Sequence, residues 1–486
     1  MTLVRTVIGR SKALAKALAR RYVANAQPQV RPAPPEHWGL TRTSSGALAL
    51  DGLVLHDVGR EWGFPLHIVN AARLRDNARR FLAVPEGQER GCEVYYSYKT
   101  NPIPGVLSEL HSSGLGAEVI SHYELWLARR LGVPADKIVF NGPAKSDASI
   151  REAIDAGIQL LNVNHREEIA RVAAIAEQCG RKPRIGLRVT VGEGWTGQFG
   201  VPVAGGLALA AYDEARHSPH LDVVGIHAHR GGMLRTREDL LSFVDAVLRF
   251  VDELYARTGL ALEVLNFGGS LATPTVRGLS RRDLRMNRTF QRDLTPADPA
   301  ASLSIEDYIS TLTGQVDAFF RARGRSRPRI FIEPGRSVTS DAQLLLASVM
   351  TLKKEHATTF LVLDAGINLA ESCRSEYHQL FPAMQVNRPT DALYTVVGPI
   401  CTPGDTLYWS ARLPALAPGD SVAIMDAGAY FVPFATSFSF PQPPIVLIDG
   451  GAVTLLRRGE QFEDLVAYDR GAAPGRGGTA TQDAGR

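Results

Sequence analysis

Glu93-Val-Tyr-Tyr-Ser-Tyr-Lys99-Thr-Asn-Pro102 is the stretch on which the reading of this chain turns. Its β-branched and aromatic residues predict a buried strand over Glu93–Tyr98. Asn101-Pro102 ends that strand, because proline has no N–H for a ladder and forces its predecessor out of helical space. The strand therefore delivers one lysine to its C-terminal end. A lysine at the mouth of a sheet is partly desolvated, and its neutral amine is then populated enough to form a Schiff base. The plainer alternative is a strand-end lysine that snorkels to water. What the rest of the chain brings to the same place decides between them.

Working outward, short apolar strands alternate with amphipathic helical segments. The expected strands are Glu93–Tyr98, Ala117–Ser121, Ile138–Asn141, Leu160–Val163, Arg184–Thr190, Val223–Ala228, Glu263–Phe267 and Arg329–Glu333. Eight βα units in series predict a (β/α)8 TIM barrel, whose chemistry sits at the C-terminal strand ends. An arginine-rich insertion over 271–304 breaks the spacing, as either a solvated loop or a lid or docking element. Beyond Leu352 the texture turns strand-rich, predicting an all-β C-terminal domain. A hairpin over Gly46–Leu55, turning at Asp51-Gly52, is expected to join it. The expected division is a β domain from 36–60 and 353–470, a barrel over 61–352, and a disordered Gly/Ala-rich tail over 471–486.

Residues 1–35 contain no acidic side chain, and Arg5, Arg10, Lys12, Lys16, Arg20 and Arg21 interleave with Leu14, Leu18 and alanines. That is a basic amphipathic helix pattern followed by a proline-bearing linker. It reads as a frayed or dimer-contact helix, or as a docking or membrane-surface element. Charges interrupt every apolar core before Ala24-Asn-Ala26, which argues against a secretion signal and for a cytoplasmic protein.

The composition is that of an ordinary globular chain: 45% hydrophobic, 21% charged, with a net charge of +4. So even a balance argues against a nucleic-acid partner, and no apolar run is long enough to span a membrane. The four cysteines, Cys92, Cys179, Cys373 and Cys401, show neither disulfide nor metal spacing, so no metal is expected.

Three of the expected strand ends carry chemistry. Val223–Ala228 runs into His229-Arg-Gly-Gly232, Glu263–Phe267 into Gly268-Gly269-Ser270, and the last strand into Glu333-Pro-Gly335-Arg336. Glycines in adjacent barrel loops let backbone N–H groups approach a phosphate, and Ser270 and Arg336 add a hydroxyl and a fork of donors. A carboxylate at Glu333 suits a protonated ring nitrogen of pyridoxal phosphate, which strengthens that ring as an electron sink.

On these residues the chain resembles the fold-type III, pyridoxal-phosphate-dependent amino-acid decarboxylases, and within them the diaminopimelate decarboxylase branch. Tyr98-Lys99-Thr-Asn is similar to the cofactor-lysine motif, and Ala117–Glu124, Asn141–Lys145 and Phe199-Gly200 follow in family order. The resemblance implies an alanine racemase-like barrel and pyridoxal 5′-phosphate as cofactor. It implies that Lys99 bears the Schiff base, that His229 stacks on the ring and that Glu333 pairs with its nitrogen. Gly268, Gly269, Gly335, Arg336 and Tyr430 would hold the phosphate, and Ser270, standing where a third glycine is usual, would return the hydroxyl lost at Gly232. Gly398–Asp405 is similar to the family's cysteine loop, in which Cys401 would donate a proton across a homodimer with shared active sites.

Expected substrate contacts are Thr402, Asp405, Arg374 and Tyr377. Thr402 stands where the family usually has an acid for the distal amine, and a hydroxyl does not offset a buried ammonium. The Arg-Pro usual before Tyr377-His378 is absent, with Arg374 as a substitute. The expectation is therefore α-decarboxylation of an amino acid or conjugate other than a simple diamino acid. A citrate- or carrier-linked substrate from siderophore or antibiotic assembly fits, with a carrier protein as a partner. The alternatives are a diaminopimelate, lysine or ornithine decarboxylase of primary metabolism, a racemase, and an inactive regulator.

Overall fold

In a computed structural model, the chain is described for residue 18 and for 32–192, 194–356 and 358–469. The basic N-terminal helix pattern and the tail from 471 lie outside these residues.

The eight strands are Glu93–Ser97, Gly116–Val119, Ile138–Phe140, Leu160–Val163, Arg184–Thr190, Asp222–Ala228, Val264–Asn266 and Arg329–Ile332. Each pairs in parallel with the next and the eighth with the first, so the sheet closes. The alternation inside Glu93–Ser97 shows why. Val94 and Tyr96 join the core under the helices, whereas Tyr95 points inward and meets Phe331 with ring centroids 4.7 Å apart. The first strand stops at Ser97, one residue earlier than its composition predicts, and a 3-10 turn over Tyr98–Thr100 carries Lys99.

The second domain is built around the 13-residue strand Gln343–Glu355. It pairs with Leu66–Asn70, Thr358–Leu363 and Ser421–Ile424. Over residues 343–349 both of its faces are largely buried, Leu345, Ala347 and Val349 in one cluster and Leu344 and Leu346 in another. The sheet thus takes Leu66–Asn70 and the first ten residues of Gln343–Glu355 from the range expected for the barrel. A short apolar run such as Leu66-His-Ile-Val-Asn70 looks the same in either sheet until its partners are known.

The hairpin turns at Asp51-Gly52 with φ of 49° and 83°, the left-handed pair of a type I′ turn. It forms a small sheet with Thr41–Arg42 and packs onto the second domain, the Leu48 N–H donating to the Ala383 carbonyl at 2.8 Å. The insertion is not a solvated loop. Arg277–Gly278 pairs with Glu376–Tyr377, and a helix over Arg281–Phe290 follows. Buried Asn287 exchanges hydrogen bonds with the Ser410 backbone at 2.7 and 3.2 Å, and Arg288 lies 4.4 Å over the Trp409 ring. The insertion fastens one domain to the other.

Candidate active site

The barrel interior changes character along its strands. Tyr95, Val139, Leu160, Val264 and Phe331 form an apolar layer. Two residues further on, the same strands place Ser97, Asn141, Asn162, Asn266 and Glu333, all buried, in a polar layer at the C-terminal mouth. Asn141 links two carboxylates there, donating to Glu118 at 2.9 Å and Glu333 at 2.8 Å, while its own oxygen accepts from Asn162 at 2.7 Å. Glu333 Oε1 also accepts from Asn266 at 2.6 Å, and Glu118 from the Ser97 hydroxyl at 2.5 Å. Burial pushes the Glu333 carboxyl above its ordinary range and Glu118 reinforces this, the two asparagines and Lys99 opposing. His227 Nε2 lies 3.5 Å from Glu333 Oε2, and neither of its ring nitrogens has a hydrogen-bond partner.

The Lys99 Nζ sits 3.9 Å from the fully buried Glu118. Burial favours its neutral amine, but Glu118, Tyr430 and Glu333 outweigh burial and hold the ammonium above its usual range. Desolvation is the largest single influence on Lys99, as read from the sequence, while the surrounding groups together favour the charged form. Its neighbours are anionic, so the amine is delivered as an ammonium whose proton has a nearby acceptor.

Lys99, His229, Gly269, Ser270, Glu333, Gly335, Arg336 and Tyr430 all border one cavity of about 730 Å³. His229 Nδ1 accepts the Gly269 N–H at 3.2 Å, and the Trp195 ring meets the imidazole edge-on at 5.1 Å. Burial, with the charges of Lys99 and Arg188, holds His229 well below its ordinary pKa, so it is neutral with its proton on Nε2. Gly268 is required: its φ is +62°, and a Cβ there would lie 2.5 Å from His229 Nδ1. Ser270 Oγ accepts the Gly231 N–H at 3.1 Å and keeps its own proton to donate. The Tyr430 N–H donates to the Thr100 carbonyl at 2.9 Å, tying this tyrosine to the turn that carries Lys99.

Other expected residues are placed differently. Arg336 borders the cavity, but its outer nitrogens bind Glu376 at 2.7 and 2.9 Å, so its donor fork is occupied. Cys401 is exposed and Thr402 half-buried, and neither borders the cavity. Asp405 is buried with its carboxylate accepting the N–H groups of Ile367 and Ile400, each at 2.8 Å, which shapes the loop. Tyr377 donates to Gln379 at 2.5 Å, and Arg374 is exposed and pairs with Glu371 at 3.1 Å; neither borders the cavity.

Pattern reading missed Glu118, Asn266 and His227 as site residues. Their signal was a polar residue at the second inward position of an otherwise apolar strand.

The family model for the pyridoxal binding domain of pyridoxal-dependent decarboxylases matches residues 74–340. The chain belongs to the pyridoxal-dependent decarboxylases. It is 30% identical to a Pseudomonas aeruginosa diaminopimelate decarboxylase over 86% of this chain and 96% of the relative. It is 29% identical to the enzyme of that name from Methanothermobacter thermautotrophicus over 87% and 95%. The crystal structure of diaminopimelate decarboxylase from M. jannaschii has the same fold, with a TM-score of 0.79 at 24% identity over 90% of this chain and 98% of that one. As a pyridoxal-dependent decarboxylase the chain is a carboxy-lyase for an amino acid, with pyridoxal 5′-phosphate as cofactor. The polar layer suits that cofactor. Glu333 uses one oxygen for both asparagines and leaves Oε2, buried, for a cationic ring nitrogen. Among the described residues no helix is long and apolar enough to cross a membrane.

Proposed function

We propose that the protein decarboxylates a diamino acid of the diaminopimelate, lysine or ornithine kind, as a homodimer with shared active sites. The observation that carries the decarboxylase reading is the ring Lys99–Glu118–Asn141–Glu333 at the mouth of the barrel. The names of the relatives support the substrate class.

When bound, pyridoxal phosphate supplies an aldehyde for an amine and a ring that accepts electrons as CO₂ leaves. Lys99 is the amine that fastens it to the barrel. Glu118, 3.9 Å away, holds the lysine's charge whenever that amine is free. With the cofactor bound, Glu333 would hold the ring nitrogen's proton, its Oε1 being fixed by Asn141 and Asn266. A carboxylate in that role favours decarboxylation over racemisation, which works with a weaker electron sink. The neutral imidazole of His229, fixed between Gly269 and Trp195, walls the cavity. The Ser270 and Tyr430 hydroxyls offer donors to a phosphate. Cys401, exposed on its own chain, reaches the cavity of a second copy and returns a proton to the substrate carbon.

Thr402 favours a second reading, a citrate- or carrier-linked amino acid with a carrier protein as partner. The test measures released CO₂ across L-lysine, L-ornithine, meso-diaminopimelate and amino-acid conjugates. A diamino acid is expected to turn over fastest. Turnover confined to conjugates would establish the second reading instead.

A further inference from the structure

The insertion over 271–304 carries six arginines against three acids, and none of those arginines borders the cavity. The acids all have partners. Asp283 pairs with Arg277 at 3.1 Å, Asp293 with Arg412, and Asp298 accepts the Ala300 N–H at 3.0 Å. Arg281, Arg282, Arg285 and Arg288 are exposed, and among the described residues none of them makes an ion pair. On the helix Arg281–Phe290 three of these follow at i, i+4 and i+7, a single row about 10 Å long, with Arg282 beside it. Helix stability does not select such a row. Cations in the first turn oppose the helix dipole, and like charges four residues apart repel. Ser280 and Asp283 offset the strain on the first turn with a reciprocal cap, each side chain accepting the other's backbone N–H, at 3.1 and 3.0 Å. The row also has a fixed place. The Leu279 N–H donates to the Ser375 carbonyl at 2.7 Å, and Arg277–Gly278 pairs with Glu376–Tyr377. Ser375 and Glu376 border the cavity, so the helix begins beside its rim, while Asn287 and Arg288 anchor it to Ser410 and Trp409.

We propose that this arginine row docks an acidic helix of a partner protein, which then sits against the rim of the active-site cavity. A guanidinium fork binds a carboxylate two-pronged, and Glu or Asp at i, i+4 and i+7 of a facing helix repeats the arginine spacing. A membrane surface fits less well. An interfacial helix needs an apolar face to bury, and no exposed large apolar side chain among the described residues lies within 271–304. Nucleic acid fits less well too, since the net charge is only +4 and the insertion exposes no aromatic ring for a base to stack on. The docking is independent of which amino acid is decarboxylated.

The experiment is fluorescence anisotropy of the full-length holoenzyme with a labelled, stapled helical peptide bearing Glu at i, i+4 and i+7. A peptide of the same composition in scrambled order, a DNA duplex and anionic phosphatidylserine vesicles are the comparisons. The patterned peptide is expected to bind at least about tenfold more tightly than the scrambled one at low salt, and to weaken as salt is raised. The double variant Arg281→Glu/Arg285→Glu is expected to lose at least about tenfold in affinity. Arg281→Gln/Arg285→Gln, which removes the charges without reversing them, is expected to lose a smaller share. Both variants should keep the wild-type melting temperature and decarboxylate a free amino acid within about twofold of the wild-type rate. Equal binding of the two peptides, or full affinity in both variants, overturns the proposal. So does tighter binding of the duplex or the vesicles. A change of oligomeric state in either variant, read by light scattering, overturns it as well, because the row would then belong to a contact between copies of this chain.

Discussion

The polar layer at the barrel mouth and the Gly398–Asp405 loop are both chemical, and they are finished to different degrees. At the mouth, Glu118, Asn141, Asn266 and Glu333 are at most 5% exposed and hydrogen-bonded to one another. The loop is held from beneath by Asp405, yet presents Cys401 to solvent on the outside of its own chain. Groups that hold a cofactor gain from being fixed in advance, since their dipoles then need no reorganisation during the reaction. A proton donor assembled from a second copy needs only a rigid loop that another surface completes. Under the proposed homodimer, preorganisation would belong to one chain and completion to the pair.

Breaking the mouth is expected to give the largest effect. Lys99→Ala should lower the decarboxylation rate by at least about 10⁴-fold and remove the visible absorbance of the bound cofactor, measured on the purified protein. Glu333→Gln keeps an oxygen for Asn141 and Asn266 but loses the charge, so the fold should survive while kcat falls on the order of 10²- to 10³-fold. The comparison is sharpened by Cys401→Ala, expected to lower kcat about 10²-fold with no change in melting temperature, because the thiol is exposed. Mixing Lys99→Ala with Cys401→Ala protein should restore activity if sites are shared, and silence in that mixture would leave each site within one chain.

Smaller effects separate structural from chemical carboxylates. Glu124 accepts the Ile120 N–H at 2.7 Å, and burial, then Glu118, pushes its pKa from the ordinary 4.5 to about 7. The folded state therefore binds a proton that the unfolded chain has already shed between these values. The stabilisation this brings is complete below about 4.5 and lost as pH rises through about 7, by up to about 3 kcal/mol. Glu124→Gln should flatten the melting temperature across that window. On the loop, Asp405→Ala strands two buried N–H groups and should cost about 2 kcal/mol, read by denaturant titration. A loss of substrate affinity at unchanged stability would return Asp405 to the substrate contacts.

Much of this was legible in residue order. All eight barrel strands lie where apolar runs and punctuation place them, most within a residue at each end, since closure of the sheet demands a period-two inward face on every strand. Lys99, Glu333, His229 and the glycine loops could be found because strand ends converge on one mouth. Leu66–Asn70 and the start of Gln343–Glu355 were not, because a strand's membership in one sheet or another rests on distant partners. The partners of Arg336, Asp405 and Tyr377 were hidden for the same reason. A donor fork or a carboxylate looks available until the residue that occupies it is known, and Glu376 is 40 residues from Arg336.

By itself, then, residue order determined the barrel and the placing of Lys99 and Glu333 at its mouth, all consequences of local periodicity and of which residue ends each strand. Only the tertiary structure decided which charges are free. Glu118 was set beside Lys99, Arg336 was paired off and Glu371 was left facing the cavity by contacts between segments far apart in the chain. Electrostatic availability depends on burial and distance, and neither exists until the chain has closed on itself.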